Sequence, residues 1–120
     1  MNSEPERDPT FAVGEANFEA VVLAADRPVV VAFHAPWSRP CHILEATLDT
    51  VTAECADRVK VVRVNADDHP ELSLCYDVQS VPTLLFFVAG TLAGRMVGTA
   101  SKEAILDKLQ AISASKSSSP

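Results

Sequence analysis

Cysteine is scarce in this chain, with three residues in 120, an odd number too small to staple a fold. A disulfide framework is therefore excluded, and a reducing compartment is expected. Long apolar runs are also missing. No run is longer than Leu84 to Ala89, which is strand-sized and far short of the ~20 residues a helix needs to cross a bilayer, so no membrane partner is expected. Basic residues are outnumbered, ten Lys and Arg against sixteen Asp and Glu for a formal net charge of −6. Nucleic acid is not an expected partner, because binding it requires clustered cations that neutralise phosphates. The opening residues, Met1 to Pro9, have neither the basic start nor the apolar core of a signal peptide, which makes a soluble cytoplasmic protein the expectation.

What is present is enough apolar content, 48%, to build one core from a chain of single-domain length. The polar ends, 1–9 and the serine-rich 113–120, are expected to be disordered, because they bury too little to offset chain entropy. Between them, residues 10–112 read as one domain. Thr10 to Val13 is a short apolar entry; Asn17 is placed to cap a helix carrying Phe18, Val21, Val22 and Ala25. Val29 to Phe33 is β-branched and almost wholly apolar, as in a strand buried on both faces. Cys41, Leu44, Leu48, Val51 and Cys55 then recur at spacings of three and four, forming one inward stripe of a long helix. Val59 to Val64 reads as a second long strand, and Pro70 opens a short helix. Leu84 to Ala89 and Leu92 to Val97 form a hairpin about Gly90. A final helix is capped by Ser101 and faces Ile105, Leu106, Leu109 and Ile112 inward. The order β-α-β-α-β-α-β-β-α predicts an α/β fold with parallel crossovers and then an antiparallel hairpin: a mixed central sheet with helices on both faces.

The stretch Trp37-Ser38-Arg39-Pro40-Cys41 carries the most chemical information. A Cys-x-x-Cys redox centre needs an outer thiolate that attacks a substrate disulfide and an inner one that resolves the mixed disulfide. Here the outer position is Ser38, and a hydroxyl forms no disulfide. Together with Val81-Pro82-Thr83 about forty residues on and Gly98 before the last helix, the motif makes the chain resemble the thioredoxin family from about Thr10 to Ile112. The resemblance implies a thioredoxin fold in which the Val81-Pro82 bond is cis and lies against the active-site helix. It also implies a docking surface for an extended peptide or protein partner at Trp37, Arg39, Pro40, Val81 and Pro82. Two departures stand out beside Ser38: Arg39 replaces a small glycine, and Ala32 replaces the buried aspartate that would accept the proton of the inner cysteine.

Each of these residues has a plainer reading. Ser38 precedes a helix and suits an N-cap; the alternative is a hydroxyl that donates to a bound thiol or thiolate, as in some glutathione transferases of related fold. Hydrolysis through Ser38 and His42 lacks an orienting third group. Cys41 lies on the apolar stripe, which favours a buried, protonated thiol, although a helix N-terminus favours its anion. Cys55 is expected in the core, roughly 21 Å from Cys41 along the helix, and Cys75 is open between exposed and packed. His34, His42 and Cys41 match no compact ligand spacing, so no metal is expected; nor is any cofactor. His69 with Asp67 and Asp68 reads as a solvated turn capping the next helix. Two functions follow. In the first the chain is a peptide- or partner-binding module that has lost dithiol–disulfide reductase chemistry; in the second it is a thiol–disulfide oxidoreductase, or a monothiol or glutathione-linked enzyme, serving cell redox homeostasis through Cys41.

Overall fold

The computed structural model describes residues 10–55 and 58–117; the arm expected to be disordered, 1–9, lies outside them. In chain order the elements are β1 (Thr10–Ala12), a π-helical turn α1 (Glu19–Leu23), β2 (Val29–His34), α2 (Arg39–Cys55), β3 (Lys60–Asn65), α3 (Pro70–Cys75), β4 (Thr83–Val88), β5 (Thr91–Val97) and α4 (Lys102–Ser117). One five-stranded sheet runs β1-β3-β2-β4-β5, with β1 and β2 parallel to β3 and with β4 antiparallel to both β2 and β5. This is the mixed, two-face-covered sheet of the thioredoxin fold. It departs from the sequence expectation at one crossover. The connection 66–82, which holds the six-residue helix α3, enters β4 at the end where β3 stops, since Phe33 of β2 pairs with both Val64 and Thr83, and β4 returns antiparallel.

Strand alternation divides the core in two. On one face Val30 and Ala32 of β2 and Leu84 and Phe86 of β4 meet Leu44, Leu48, Val51 and Cys55 of α2 and Ile105 and Leu109 of α4. On the other, Val29, Val31 and Phe33 with Leu85 and Phe87 meet Phe18, Val22 and Leu72. Phe18, Tyr76 and Phe87 close that face with ring centroids 5.4 to 5.8 Å apart. The inward stripe of α2 is buried at every position that its spacing marked.

Three local expectations need correction. Asn17 does not cap forward: its Oδ1 accepts from the N–H of Gly14 behind it, and α1 contracts to one turn closed by Ala24 N–H on the Glu19 carbonyl. His69 precedes α3 without a side-chain cap, because its ring hydrogen-bonds Glu15 instead and lowers the Glu15 carboxyl below its usual pKa. Residues 113–117, expected in a disordered tail, continue α4. Once a helix is nucleated each further residue adds a bond at little cost, so composition alone misplaced its end.

The β4–β5 loop contains a conformation that predicts a gain in stability. Val88 pairs with Thr91, leaving a two-residue turn in which Ala89 and Gly90 both have positive φ, 53° and 80°. That is the hairpin geometry for which Asn-Gly is preferred, and alanine in the left-handed region costs about 1 kcal/mol. Ala89→Asn should raise the melting temperature by a few degrees. Gly90→Ala should lower it, since a Cβ there would lie 2.9 Å from the Leu23 carbonyl oxygen.

Candidate functional site

The site begins where β2 ends and α2 starts. Ser38 is 4% exposed; its N–H donates to the Ala35 carbonyl at 3.1 Å, and its own carbonyl accepts from His42 N–H at 3.3 Å. The hydroxyl oxygen accepts from the N–H of Cys41 at 3.3 Å, which is the N-cap bond, worth about 1 kcal/mol. Ser38 is thus a buried cap. His42 is turned to another partner, its imidazole Nε2–H donating to the Pro36 carbonyl at 2.7 Å.

Trp37 projects outward, 72% exposed, and is tethered by its indole N–H to Asp67 at 2.8 Å. Asp67 is placed in turn by Asn65, whose Oδ1 accepts from the N–H groups of Asp67 and Asp68. A second support lies across the sheet end, where Arg95 of β5 donates to the carbonyls of Tyr76 and Asp77. It fastens the turn that leads to Val81.

Cys41 sits in the first turn of α2, 7% exposed, and is unpaired, as are buried Cys55 and exposed Cys75. Its surroundings include a cavity of about 180 Å³ that it lines together with Ala32, Leu44 and Pro82. Strand register sets Arg63 of β3 beside Ala32 of β2, and Arg63 also lines the cavity. Its guanidinium reaches Glu45 at 2.6 Å and Asp49 at 3.5 Å on α2, while its Nε–H is buried with no partner among the described residues. Where the family resemblance implies a carboxylate on β2, this chain has an empty space and an ion pair bridging β3 to α2.

The predicted site residues therefore fall into groups. Cys41 and Pro82, which is itself buried, meet at the cavity. Trp37 and half-buried Val81 share a separate surface hollow of about 370 Å³ with Pro70, Ser73, Leu74 and Gln79. Arg39 and Pro40 are exposed on α2 and line neither. The Val81–Pro82 peptide bond is cis. Sequence reasoning missed Glu45, Arg63 and Asp67. Signals existed for the first two, a carboxylate four residues after Cys41 and an arginine inside an apolar strand; nothing in the sequence links Asp67 to Trp37, thirty residues away.

His34 and His42 both line the cavity, yet among the described residues no three His, Cys, Asp or Glu side chains form a group that would hold a metal. Burial first, and then the Arg63 charge, hold the His34 imidazole below its usual pKa of 6.5. A depressed histidine stays neutral in the fold while the unfolded chain takes up a proton as pH falls through 6.5. Stability should therefore decline on acidification below that value and level off below the folded pKa. Denaturant titrations from pH 7.5 to 5 should show this slope, and His34→Gln should flatten it.

Comparison with known proteins agrees with this geometry. The thioredoxin family profile matches residues 9–111. Thioredoxin 1 of Synechococcus elongatus is 37% identical over 98 residues, covering 82% of this chain and 92% of that protein. Thioredoxin of Griffithsia pacifica is 34% identical over 96 residues, 80% of this chain and 88% of that one. The chloroplastic M-type thioredoxin of Chlamydomonas reinhardtii is 33% identical over 99 residues, 82% and 71% respectively. With its profile, its five-stranded sheet and its Trp37-to-Cys41 motif at the start of α2, the chain belongs to the thioredoxin family.

Proposed function

We propose that this chain serves thiol–disulfide redox homeostasis with Cys41 as its single reacting thiol, receiving an extended peptide or protein partner at the surface of Trp37 and Val81. One observation carries the reading: the family's inner cysteine is kept, in the first turn of α2 and in the wall of a cavity shared with Pro82. Single-thiol exchange does not need a second sulfur at position 38. The Cys41 thiolate attacks a mixed disulfide between a partner and a small thiol; one S–S bond forms, the other breaks, and the partner leaves as its thiolate. A second thiol from solution, such as glutathione, then attacks the small-thiol sulfur of the new disulfide; the two thiols leave as their own disulfide and Cys41 is released as its thiolate. The three unpaired thiols support a reducing compartment such as the cytoplasm.

Ser38 as a buried cap and Ala32 as an uncharged wall favour a second reading, a binding module without turnover. One experiment separates the two. A protein blocked as its mixed disulfide with 2-mercaptoethanol is incubated with glutathione and either the wild-type chain or Cys41→Ser. Unblocking that is accelerated by the wild type and lost in Cys41→Ser is the expected result. If neither chain accelerates it while both bind the blocked protein, the module reading stands.

A further inference from the structure

Alanine at position 32 leaves space behind Cys41, and the charges around that space are unequal. About 180 Å³ is comparable with the ~150 Å³ voids that admit benzene and well below the ~300–1,000 Å³ of pockets for drug-sized ligands. There is room for a few heavy atoms and none for a whole tripeptide. The wall is apolar at Ala32, Leu44 and Leu48 and charged at Glu45 and Arg63. The one positive charge of Arg63 faces two carboxylates, Glu45 at 2.6 Å and Asp49 at 3.5 Å. His34, which burial keeps below its ordinary pKa, adds no cation at neutral pH. Within the wall itself Glu45 and Arg63 balance; Asp49, exposed and outside the wall, leaves the ion cluster beside the cavity with one excess negative charge, in a protein whose net charge is −6.

From this size and sign we propose that the cavity selects the small-thiol half of the disulfide that Cys41 exchanges with, favouring short cationic aminothiols of the cysteamine kind over anionic thiols and over tripeptides. The inference rests on Cys41 being the exchanging thiol. In the step, the Cys41 thiolate attacks one sulfur of a symmetrical disulfide; a Cys41–S–S–R bond forms, the R–S–S–R bond breaks, and R–S⁻ departs and takes up a proton. Glu45 follows Cys41 by four residues on α2, a spacing that sets Cβ atoms about 5–6 Å apart. An ammonium two carbons from the bound sulfur therefore reaches its carboxylate.

The test exposes the reduced full-length chain to cystamine, neutral hydroxyethyl disulfide, anionic dithiodipropionate and glutathione disulfide, and follows the adduct on each cysteine by peptide mass spectrometry. Cys75, exposed and outside the cavity wall, is the internal reference for reagent reactivity; because Glu71 stands four residues before it on α3, Glu71→Gln is carried in every chain tested, so that no carboxylate at that spacing favours a cation at the reference. Relative to Cys75, Cys41 should prefer cystamine to dithiodipropionate by about tenfold, the effect of a unit charge at close range. Glu45→Gln should reduce that preference several-fold, whereas Glu103→Gln, which removes the same charge from exposed α4, should leave it unchanged. Equal preferences at Cys41 and Cys75, or a preference unmoved by Glu45→Gln, would overturn the inference while leaving single-thiol exchange intact. No Cys41 adduct with hydroxyethyl disulfide, where Cys75 reacts, would overturn both.

Discussion

Insulin reduction driven by dithiothreitol should proceed at the no-protein rate when this chain is added, and Ser38→Cys should raise it by orders of magnitude. The wild-type hydroxyl is buried and already accepts the N–H of Cys41, and oxygen in its place forms no disulfide with substrate. A cysteine there would occupy the helix N-cap, where the free N–H groups and the helix dipole favour a thiolate. Recovery should still be partial. Resolving the mixed disulfide requires Cys41 to lose its proton, and Ala32 provides no acceptor. Adding Ala32→Asp to Ser38→Cys should bring about tenfold more turnover, at the low end of what a placed general base contributes. The structure offers that carboxylate room in the cavity of about 180 Å³ and a counter-charge in its register partner Arg63. Wild-type turnover well above control would refute the first part. Equal rates for Ser38→Cys with and without Ala32→Asp would show that position 32 does not limit the reaction.

How much of this was readable in advance depended on whether the determining contacts were local. The buried stripe of α2 and the Ser38 and Ser101 caps are set within a few residues by helical period and cap chemistry, and the structure keeps them all. The direction of β4 is not fixed by the alternation of elements: the connection 66–82 is long enough to return the chain either way, and only the strand register places the start of β4 at the end where β3 stops. The charge cluster is less local still. Arg63 looks like an ordinary interruption in Val61-Val62-Arg63-Val64 until strand register puts it beside Ala32 and helix packing brings up Glu45 and Asp49. Alanine at position 32, where the family resemblance implies an acid, is plain in the sequence. That the vacancy stays open, with an ion pair at its edge, depended on side-chain volumes from three elements at once.

Because the cavity borders the core, its walls should respond to substitution in opposite directions. Leu44 is buried beside Val30, Leu48 and Leu84 and also lines the void. In Leu44→Ala the new hole joins one that the surrounding structure already fails to collapse, so the cost should be near the upper part of the Leu→Ala range, about 3–5 kcal/mol. Against a total of about 5–15 kcal/mol for a domain, that should lower the melting temperature on the order of 10–20 °C. Ala32→Val does the reverse. It adds two carbons at a strand position suited to a β-branched side chain, a gain of about 1 kcal/mol if they enter space that is empty of protein atoms. It should also slow the reaction of Cys41 with cystamine without affecting Cys75. Paired thermal melts with per-cysteine adduct rates test both effects in the same protein. A loss of stability in Ala32→Val would mean that the added methyls meet the Arg63 stem or Leu48 rather than the void, because overpacking costs about 1–3 kcal/mol and reverses the sign.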